Sequence, residues 1–501
     1  MRRLLGSVIA GFATGSAVAL LLAVLRTFGG VSLPAELVAD RVLPMVQVDA
    51  FLNVLAHMGG PTKAKEMAFW GGLAGLVAAG VAAALIWELL RRRPRGGLIA
   101  AGALVVFTAF VIALLWPVLS ASYIGLPAAW ATTATAAALL GAVALAALFL
   151  RRLQPAGAGP GGAVDGGRRG LLLSGAGIAM LAATGGLAGR LNADSTFPYD
   201  GTRLLVRRGA RQPITPVPDF YTVTKNLIDP DVNSVLWRLE VTGAVSRPYT
   251  ITIDELRALA PRTQETTLEC ISNGVAYGLL SNARWTGPTL RSLLDRAQLA
   301  PGARMVELLG VDGYVYPVPL DRALAEEVVV AHAMNGQPLV RKHGAPARAV
   351  IPGAYGEASA KWLTRITVLD HDEEGYYGRQ GWRAGYVQTT SVIDEPLPNQ
   401  VLTAGTTVAL KGVAFAGDRG VSAVEVSADG GRSWLRARLD YAPAATAWAL
   451  WSAEWTPAAQ GPATLTVRAY DGSGVLQEEA PRGFAPSGAS GLHQVDVRVA
   501  P

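Results

Sequence analysis

Cysteine is all but missing: Cys270 is the only one among 501 residues. A lone thiol rules out an intramolecular disulfide, and no iron–sulfur motif can be written from it. Histidine is scarce as well, at five residues. His57 is the single histidine ahead of residue 190, so that half offers no pair to ligate a haem. None of the five stands in the setting of a hydrolase triad. Basic residues interleaved with aromatics, the mark of a nucleic-acid groove, are absent too, which excludes nucleic acid as a partner. Charge is thin over residues 1–190, which are mainly Ala, Leu, Gly and Val, whereas 191–501 has the mixed composition of a globular chain.

What fills the first part is hydrophobic length. A helix that spans a bilayer needs about 20 mostly apolar residues. Five stretches meet this: Leu5–Leu25, Met67–Leu90, Leu98–Leu119, Ala128–Leu150 and Leu171–Leu191. Lys and Arg collect in cytoplasmic loops. With all five spanning, Arg2-Arg3, Arg91-Arg92-Arg93 with Arg95, Arg151-Arg152 and Arg168-Arg169 share one side, and Trp70, Trp116, Tyr123 and Trp130 lie near the other interface. The N-terminus is then inside and everything after Leu191 outside. Arg26 alone breaks the scheme.

Between the first two spans, Pro34–His57 sets Val38, Val42, Val46, Leu52 and Leu55 at helical spacing, with Glu36, Asp40 and Asp49 off that face. It reads as an amphipathic helix lying on the outer membrane surface, or as a docking face for a redox partner. Arg168-Arg169 ahead of the last apolar run is similar to a twin-arginine signal, read by an export route for folded proteins. Paired arginines before a span also serve plain topology.

The expected organisation is multi-domain. A four-helix transmembrane region covers 1–153, a Gly/Pro linker with the paired arginines 154–169, a fifth transmembrane helix 170–191 and a tether 192–218. Two soluble domains follow, over 219–396 and 397–501. Here short alternating strands dominate, among them Trp237–Val241 and Tyr249–Thr252, the latter leading into a helix over Ile253–Leu259. Cys270 ends one such run and is followed closely by Ser272, Asn273 and Gly274. A thiolate is a soft ligand and nucleophile, while a buried free thiol packs as a small hydrophobe. The residues alone leave both readings open.

Several separated motifs then coincide in order. "LECISNG" (268–274), "ARWTGPTLRSLL" (283–294), "AMNGQPLVRKHGAPARAVIPGAYG" (333–356) and "KWLTRITVLD" (361–370) resemble the molybdenum-cofactor domain of the sulfite oxidase family. "GVAFAGDRGVSAVEVSADGGRSW" (412–434) is similar to the immunoglobulin-like dimerisation domain that follows it there. The resemblance implies an α+β molybdopterin domain and an all-β sandwich behind an N-terminal bundle of transmembrane α-helices. It implies molybdenum and molybdopterin as cofactors, with Cys270 as the metal ligand and Asn273 in the adjoining turn. His343, Arg348, Ser359 and Lys361 match the contacts to the pterin and its phosphate. Trp285 falls near the metal, Asp312 is a further pterin contact, and Gly353 and Gly356 would let backbone approach the cofactor.

The departures carry information. Sulfite oxidases place arginines around the anion, but Val275 follows Gly274 here and Phe220-Tyr221-Thr222-Val223 lacks one. A buried dianion needs guanidinium forks. Lys225, Asn226 and Arg379 are the candidate replacements, and Tyr376–Trp382 reads as the substrate mouth, with Tyr377 as hydrogen-bond donor and Arg379 beside it. The resemblance thus implies a membrane-anchored molybdopterin-dependent oxidoreductase. It would act on a small-molecule substrate, with a cytochrome or membrane electron carrier as redox partner, contact with the lipid bilayer and a possible homodimer. A sulfoxide-type reductase on the same cofactor and a degenerate, non-enzymatic cofactor fold are the alternatives.

Overall fold

The computed structural model describes residues 2–90, 96–153, 163–193, 209–383 and 385–501. Arg91, Arg92, Arg93 and Arg95, residues 154–162 of the expected linker and 194–208 of the tether lie outside them. Among the described residues, seven α-helices build the N-terminal part: α1 (Arg2–Gly29), α2 (Pro34–Val42), α3 (Val48–His57), α4 (Pro61–Leu90), α5 (Gly96–Leu115), α6 (Ala128–Leu153) and α7 (Ala163–Ala193). Four contain stretches long and apolar enough to cross a membrane: Leu4–Gly29, Pro61–Leu90, Ala128–Arg152 and Gly170–Leu191. The expected span Leu98–Leu119 differs. Its helix, α5, has 20 residues, and the apolar part among the described residues, Gly102–Val118, is shorter than the other four. Arg168 and Arg169 fall inside α7 rather than in a linker ahead of it.

Helix α1 packs against α4, α6 and α7, and small residues let it do so. A Cβ on Gly11 would sit 2.6 Å from the Cα of Val81, and one on Gly15 2.6 Å from that of Val77. Close helix contact of this kind relies on glycine.

The segment expected to lie on the membrane does something else. Its stripe is split in two. Val38 and Val42 on α2 are exposed, whereas Leu52 on α3, together with Val48 from outside the expected stripe, packs with Ile271, Tyr377, Trp382 and Phe484 of the downstream domains. The sequence periodicity ran across a break at Leu43–Met45, a 3-10 turn that rotates the second half of the stripe onto protein. Apolar surface is buried equally well by lipid or by another domain, so periodicity could not choose between them.

Arg26, the charge on the wrong side, is explained here as well. Its guanidinium holds both carboxylate oxygens of Glu36 at 3.1–3.2 Å and donates to Ile228 O at 3.1 Å. It lies 3.7 Å over the ring of Tyr123. The residue joins the helical region to the next domain.

Residues 209–383 form the α+β domain. A five-stranded sheet runs in the order Tyr249–Ile251, Leu239–Gly243, Leu363–Leu369, Met305–Gly310, Val315–Pro319. Leu239–Gly243 and Leu363–Leu369 are parallel, the remaining pairs antiparallel. The helix Leu290–Ala297 lays Leu290, Leu293, Leu294 and Ala297 into the same core as Val241, Leu308 and Ile366. Thr289 caps it, accepting from Ser292 N at 3.2 Å. The Ile253–Ala258 helix opens on a reciprocal Thr252–Glu255 cap. A second sheet pairs Arg262–Glu269 with Leu280–Gly287, and its hairpin end carries Cys270.

The C-terminal domain is β-rich. One sheet holds four strands and the other five, and Ile393, Leu410 and Trp451 of the first meet Val424, Leu465 and Val497 of the second in one core. Ile393 N donates to His493 Nδ1 at 3.0 Å, so the bond requires neutral imidazole at that atom. Burial first, and then Arg211, pull the His493 pKa down to about 4. An unfolded histidine titrates near 6.5. The stability that this bond contributes is therefore complete above pH ~6.5 and is lost as pH falls through about 4. In His493→Gln the part of the acid-induced drop in unfolding temperature that falls in this window is expected to disappear. An unchanged slope in the variant would remove His493 as its cause.

Candidate functional site

Cys270 sits where the Arg262–Glu269 strand turns back. Its N–H donates to Leu279 O at 3.0 Å and its carbonyl accepts from Asn273 N at 2.9 Å. Asn273 is committed to the turn at both ends of its amide, donating to Glu269 Oε1 at 2.8 Å and accepting from Leu279 N at 3.1 Å. Burial pushes the Cys270 thiol up to about 11, against the hydroxyl of Ser272 at 3.1 Å, and the carboxyls of Glu357 and Glu269 push the same way. Such a thiol is not an activated nucleophile. A metal cation at the sulfur would reverse the balance.

The matched cofactor residues converge beside it. Phe220 touches Trp285 at 5.6 Å and His343 at 5.4 Å, both edge to face. Trp285 is fully buried and donates to Thr266 O at 3.0 Å, while Arg348 lies 5.0 Å over its ring. Arg348 in turn donates to His343 O at 3.3 Å and Ser359 O at 3.0 Å, tying the two loops together. Ser359 Oγ accepts from Ile351 N at 3.1 Å. Lys361 reaches Lys342 O at 3.3 Å and lies 4.3 Å over Trp362. Cys270 packs against the apolar part of this cluster, which holds Phe220 and Trp285.

Among the three basic residues, His343 alone is uncharged at neutral pH. Burial holds His343 down to about 3, and its Nε2–H is given to Val217 O at 2.9 Å, so it is neutral at pH 7. Burial lowers Arg348 to about 10 and Lys361 to about 8, which leaves both as cations at neutral pH. The glycines differ from expectation. A Cβ on Gly353 would overlap the Asp418 carboxylate and one on Gly356 would overlap Tyr221 Oη, so each makes room for a side chain.

Asp312 is buried, accepting from Asn226 Nδ2 at 2.8 Å and from Tyr314 N at 3.1 Å. Tyr314, Tyr376 and Tyr377 form a ring cluster with centroids 5.1–5.9 Å apart. Tyr377 lies within electrostatic reach of Cys270, Glu357 and Lys225. Arg379 is not brought in with it. That side chain is 45% exposed and pairs with Glu373 at 3.7 Å on the outer surface, so Tyr377 and Arg379 part company at the turn.

Four residues of this site escaped the sequence reading: Asp40, Asp229, Tyr314 and Glu357. Burial lifts Glu357 to about 7, and its Oε2 is buried without a hydrogen-bond partner. Both carboxylate oxygens of Asp229, near Lys361, are unpartnered too, as is Tyr376 Oη. The one available signal was position, since Glu357 lies within the "GAYGEASAKW" run (353–362). A cleft of about 690 Å³ lies elsewhere, at one end of the C-terminal domain among Leu410, Val426 and Trp455.

The orphaned oxygens test whether a molybdenum–pterin group fits. Buried acceptors need donors, and the ring N–H groups of a pterin would answer Asp229 beside the cationic Lys361. The residues fit the group.

Comparison with known proteins agrees. The family model "Oxidoreductase molybdopterin binding domain" matches residues 226–377, and "Mo-co oxidoreductase dimerisation domain" matches 385–488. Sulfite oxidase of Gallus gallus is 32% identical over 340 residues, which cover 58% of this chain and 73% of that protein. Mitochondrial sulfite oxidase of Homo sapiens is 32% identical over 344 residues, covering 58% and 62%. A nitrate reductase of Hordeum vulgare is 29% identical over 337 residues, covering 55% and 38%. The chain thus spans about three fifths of the length of its mammalian relatives. The solved sulfane dehydrogenase SoxCD of Paracoccus pantotrophus shares the fold, with a TM-score of 0.52 and 24% identity over 57% of this chain and 82% of that one. On these grounds the chain belongs to the sulfite oxidase family of molybdenum-cofactor oxidoreductases.

Proposed function

We propose that this chain is a membrane-anchored oxidoreductase that moves an oxygen atom between a small substrate and water, with two electrons, outside the cytoplasm. The observation that carries the reading is convergence. A half-buried Cys270 packs against the cluster of Phe220 and Trp285, and His343, Arg348 and Ser359, drawn from far-separated parts of the chain, join that cluster through Phe220 and Trp285. When bound, the molybdenum–molybdopterin group supplies the two-electron oxygen-atom chemistry.

The chain's own residues do the rest. Cys270 ligates the metal; Lys361, Arg348 and Ser359 hold the pterin side, with His343 contributing as a neutral group. Tyr377 donates a hydrogen bond to the substrate oxygen. Glu357, poised near neutral pH, holds or releases a proton close to the sulfur. Helix α3 keeps water from the Ile271 side.

The helical region supports anchoring. The ends of α1, α4 and α7 that meet the α+β domain lie around Leu22, Phe69 and Ala188, which pack with Leu227 and Ile228, and the paired arginines 151–152 and 168–169 sit toward the opposite ends. That polarity follows the positive-inside rule with the α+β domain outside, and export after folding would suit a cofactor inserted in the cytoplasm. The C-terminal domain is read as immunoglobulin-like and as the homodimer contact. Electrons pass to or from a cytochrome or a membrane carrier.

A second reading is favoured by one observation. Among the described residues, the groups that act electrostatically on Cys270 and Tyr377 are Glu269, Glu357, Tyr376 and Lys225, with Arg348 set back over Trp285, which suits an uncharged sulfoxide-type substrate and its reduction. Purified protein from molybdate-replete cells is expected to carry one molybdenum per chain and to turn over with artificial electron carriers. Sulfite oxidation and sulfoxide reduction, assayed side by side, separate the two readings. Absence of both molybdenum and pterin sinks them together.

A further inference from the structure

Lys225 is the candidate replacement for a missing arginine, yet it is not free. Its side chain is 4% exposed, and Nζ lies 2.5 Å from Asp40 Oδ1. It stands 5.6 Å over the ring of Tyr376, on the same side as Tyr377. Asp40 belongs to α2 in the helical region, 185 residues away in sequence. The contact is part of a larger cover. Gln380 Nε2 donates to Leu43 O at 2.7 Å, Gly381 lies against Gln47, and Val48 and Leu52 pack on Ile271, next to the thiol, and on Trp382. Residues 34–57 therefore roof the Tyr376–Trp382 mouth.

The charged groups that face Lys225 are Asp40 and Asp312, with Lys65 nearby on α4 and itself bonded to Thr224 O. Asp312 is occupied by Asn226 at 2.8 Å. Asp40 is the anion at hydrogen-bond distance from Lys225, so it decides how far that ammonium is free to meet a ligand. A lysine paired at hydrogen-bond distance in a buried setting offers little to a second anion.

We propose that Asp40 is a specificity-determining residue: by pairing with Lys225 it masks the cation above the tyrosine cluster, so the helical region turns the site away from oxyanions and toward uncharged oxygen-bearing substrates. The assignment rests on the reading of Cys270 as the metal ligand. Asp40 acts through Lys225 and is a positioning residue. Burial alone would lower the Lys225 pKa, but Asp40 and Asp312 outweigh it and keep the ammonium charged, which makes masking rather than deprotonation the means.

The probe is sulfate, an unreactive dianion, bound to detergent-purified holoenzyme and followed by equilibrium dialysis. Asp40→Asn, with molybdenum content unchanged, is expected to bind sulfate about tenfold tighter than the wild type, the scale of one charge-assisted hydrogen bond. Asp40→Glu, which can keep the pair, should match the wild type, and Asp40→Asn with Lys225→Met should return to it. In sulfite assays the change should appear in KM before kcat. Unchanged sulfate affinity in Asp40→Asn overturns the proposal. Should that variant lose its molybdenum, Lys225→Met in an otherwise wild-type chain decides. A masked cation contributes nothing, so sulfate affinity should stay within about twofold, and a tenfold drop overturns the assignment. Wild-type protein lacking molybdenum would instead remove the metal-site reading beneath it.

Discussion

Cys270→Ala is expected to leave a folded protein that no longer fixes molybdenum through the chain and whose turnover falls by far more than about 100-fold, the most that loss of a residue supporting a metal ligand brings. Folding should survive because the turn is held without the thiol. Asn273 bridges Glu269 and Leu279, and the backbone of 270 pairs with Leu279. Truncating a small buried side chain costs about 1 kcal/mol, well within the stability of a domain. Metal analysis, pterin fluorescence after oxidation and the unfolding temperature read the three parts separately. Pterin retained without molybdenum, at near wild-type stability, is the expected pattern. Retained molybdenum with retained turnover would overturn the ligand assignment.

Arg26→Met should produce the largest structural loss of any single change in the helical region. Arg26 and Glu36 side chains are 3% and 1% exposed. Removing one partner strands a buried charge, a cost of about 3–5 kcal/mol, while replacing both by apolar residues is close to neutral. Glu36 would keep one bond, from Leu33 N at 2.8 Å, which is too little to offset a buried carboxylate. The single variant is expected to loosen the helical region from the α+β domain, since Arg26 also holds Ile228 O. Limited proteolysis around residues 209–231 and thermal unfolding in detergent follow this. Arg26→Met with Glu36→Leu should recover most of the lost stability. A double variant as weak as the single would mean that the Ile228 and Tyr123 contacts, rather than the ion pair, carry the junction.

Both expectations concern side chains whose partners are remote in sequence, and that is the line along which sequence and structure divide. Local patterns were reliable where the physics is local. The apolar lengths of α1, α4, α6 and α7 needed only composition, because a span is defined by its own residues. The helix expected after Thr252, over Ile253–Leu259, is present over Ile253–Ala258 with Thr252 as its cap. The motif around Cys270 placed the thiol in a turn, and the turn is what the structure contains.

What each side chain does there was another matter. His343 matched a cofactor contact, but only its burial makes it neutral, against the carbonyl of Val217, which favours the proton. Arg379 stood two residues from Tyr377 and points elsewhere. Glu357 became a buried acid only through what folds around it.

The sequence by itself determined the apolar helices, the membership in a molybdenum-cofactor family and the one sulfur available to a metal, because each is written in contiguous residues. The tertiary structure decided the charge states of His343, Arg348 and Lys361, the role of Arg26 and the placing of residues 34–57 over Tyr376–Trp382. Those depend on desolvation and on partners up to 337 residues away, as for Gln380 and Leu43, and no local pattern encodes such a pairing.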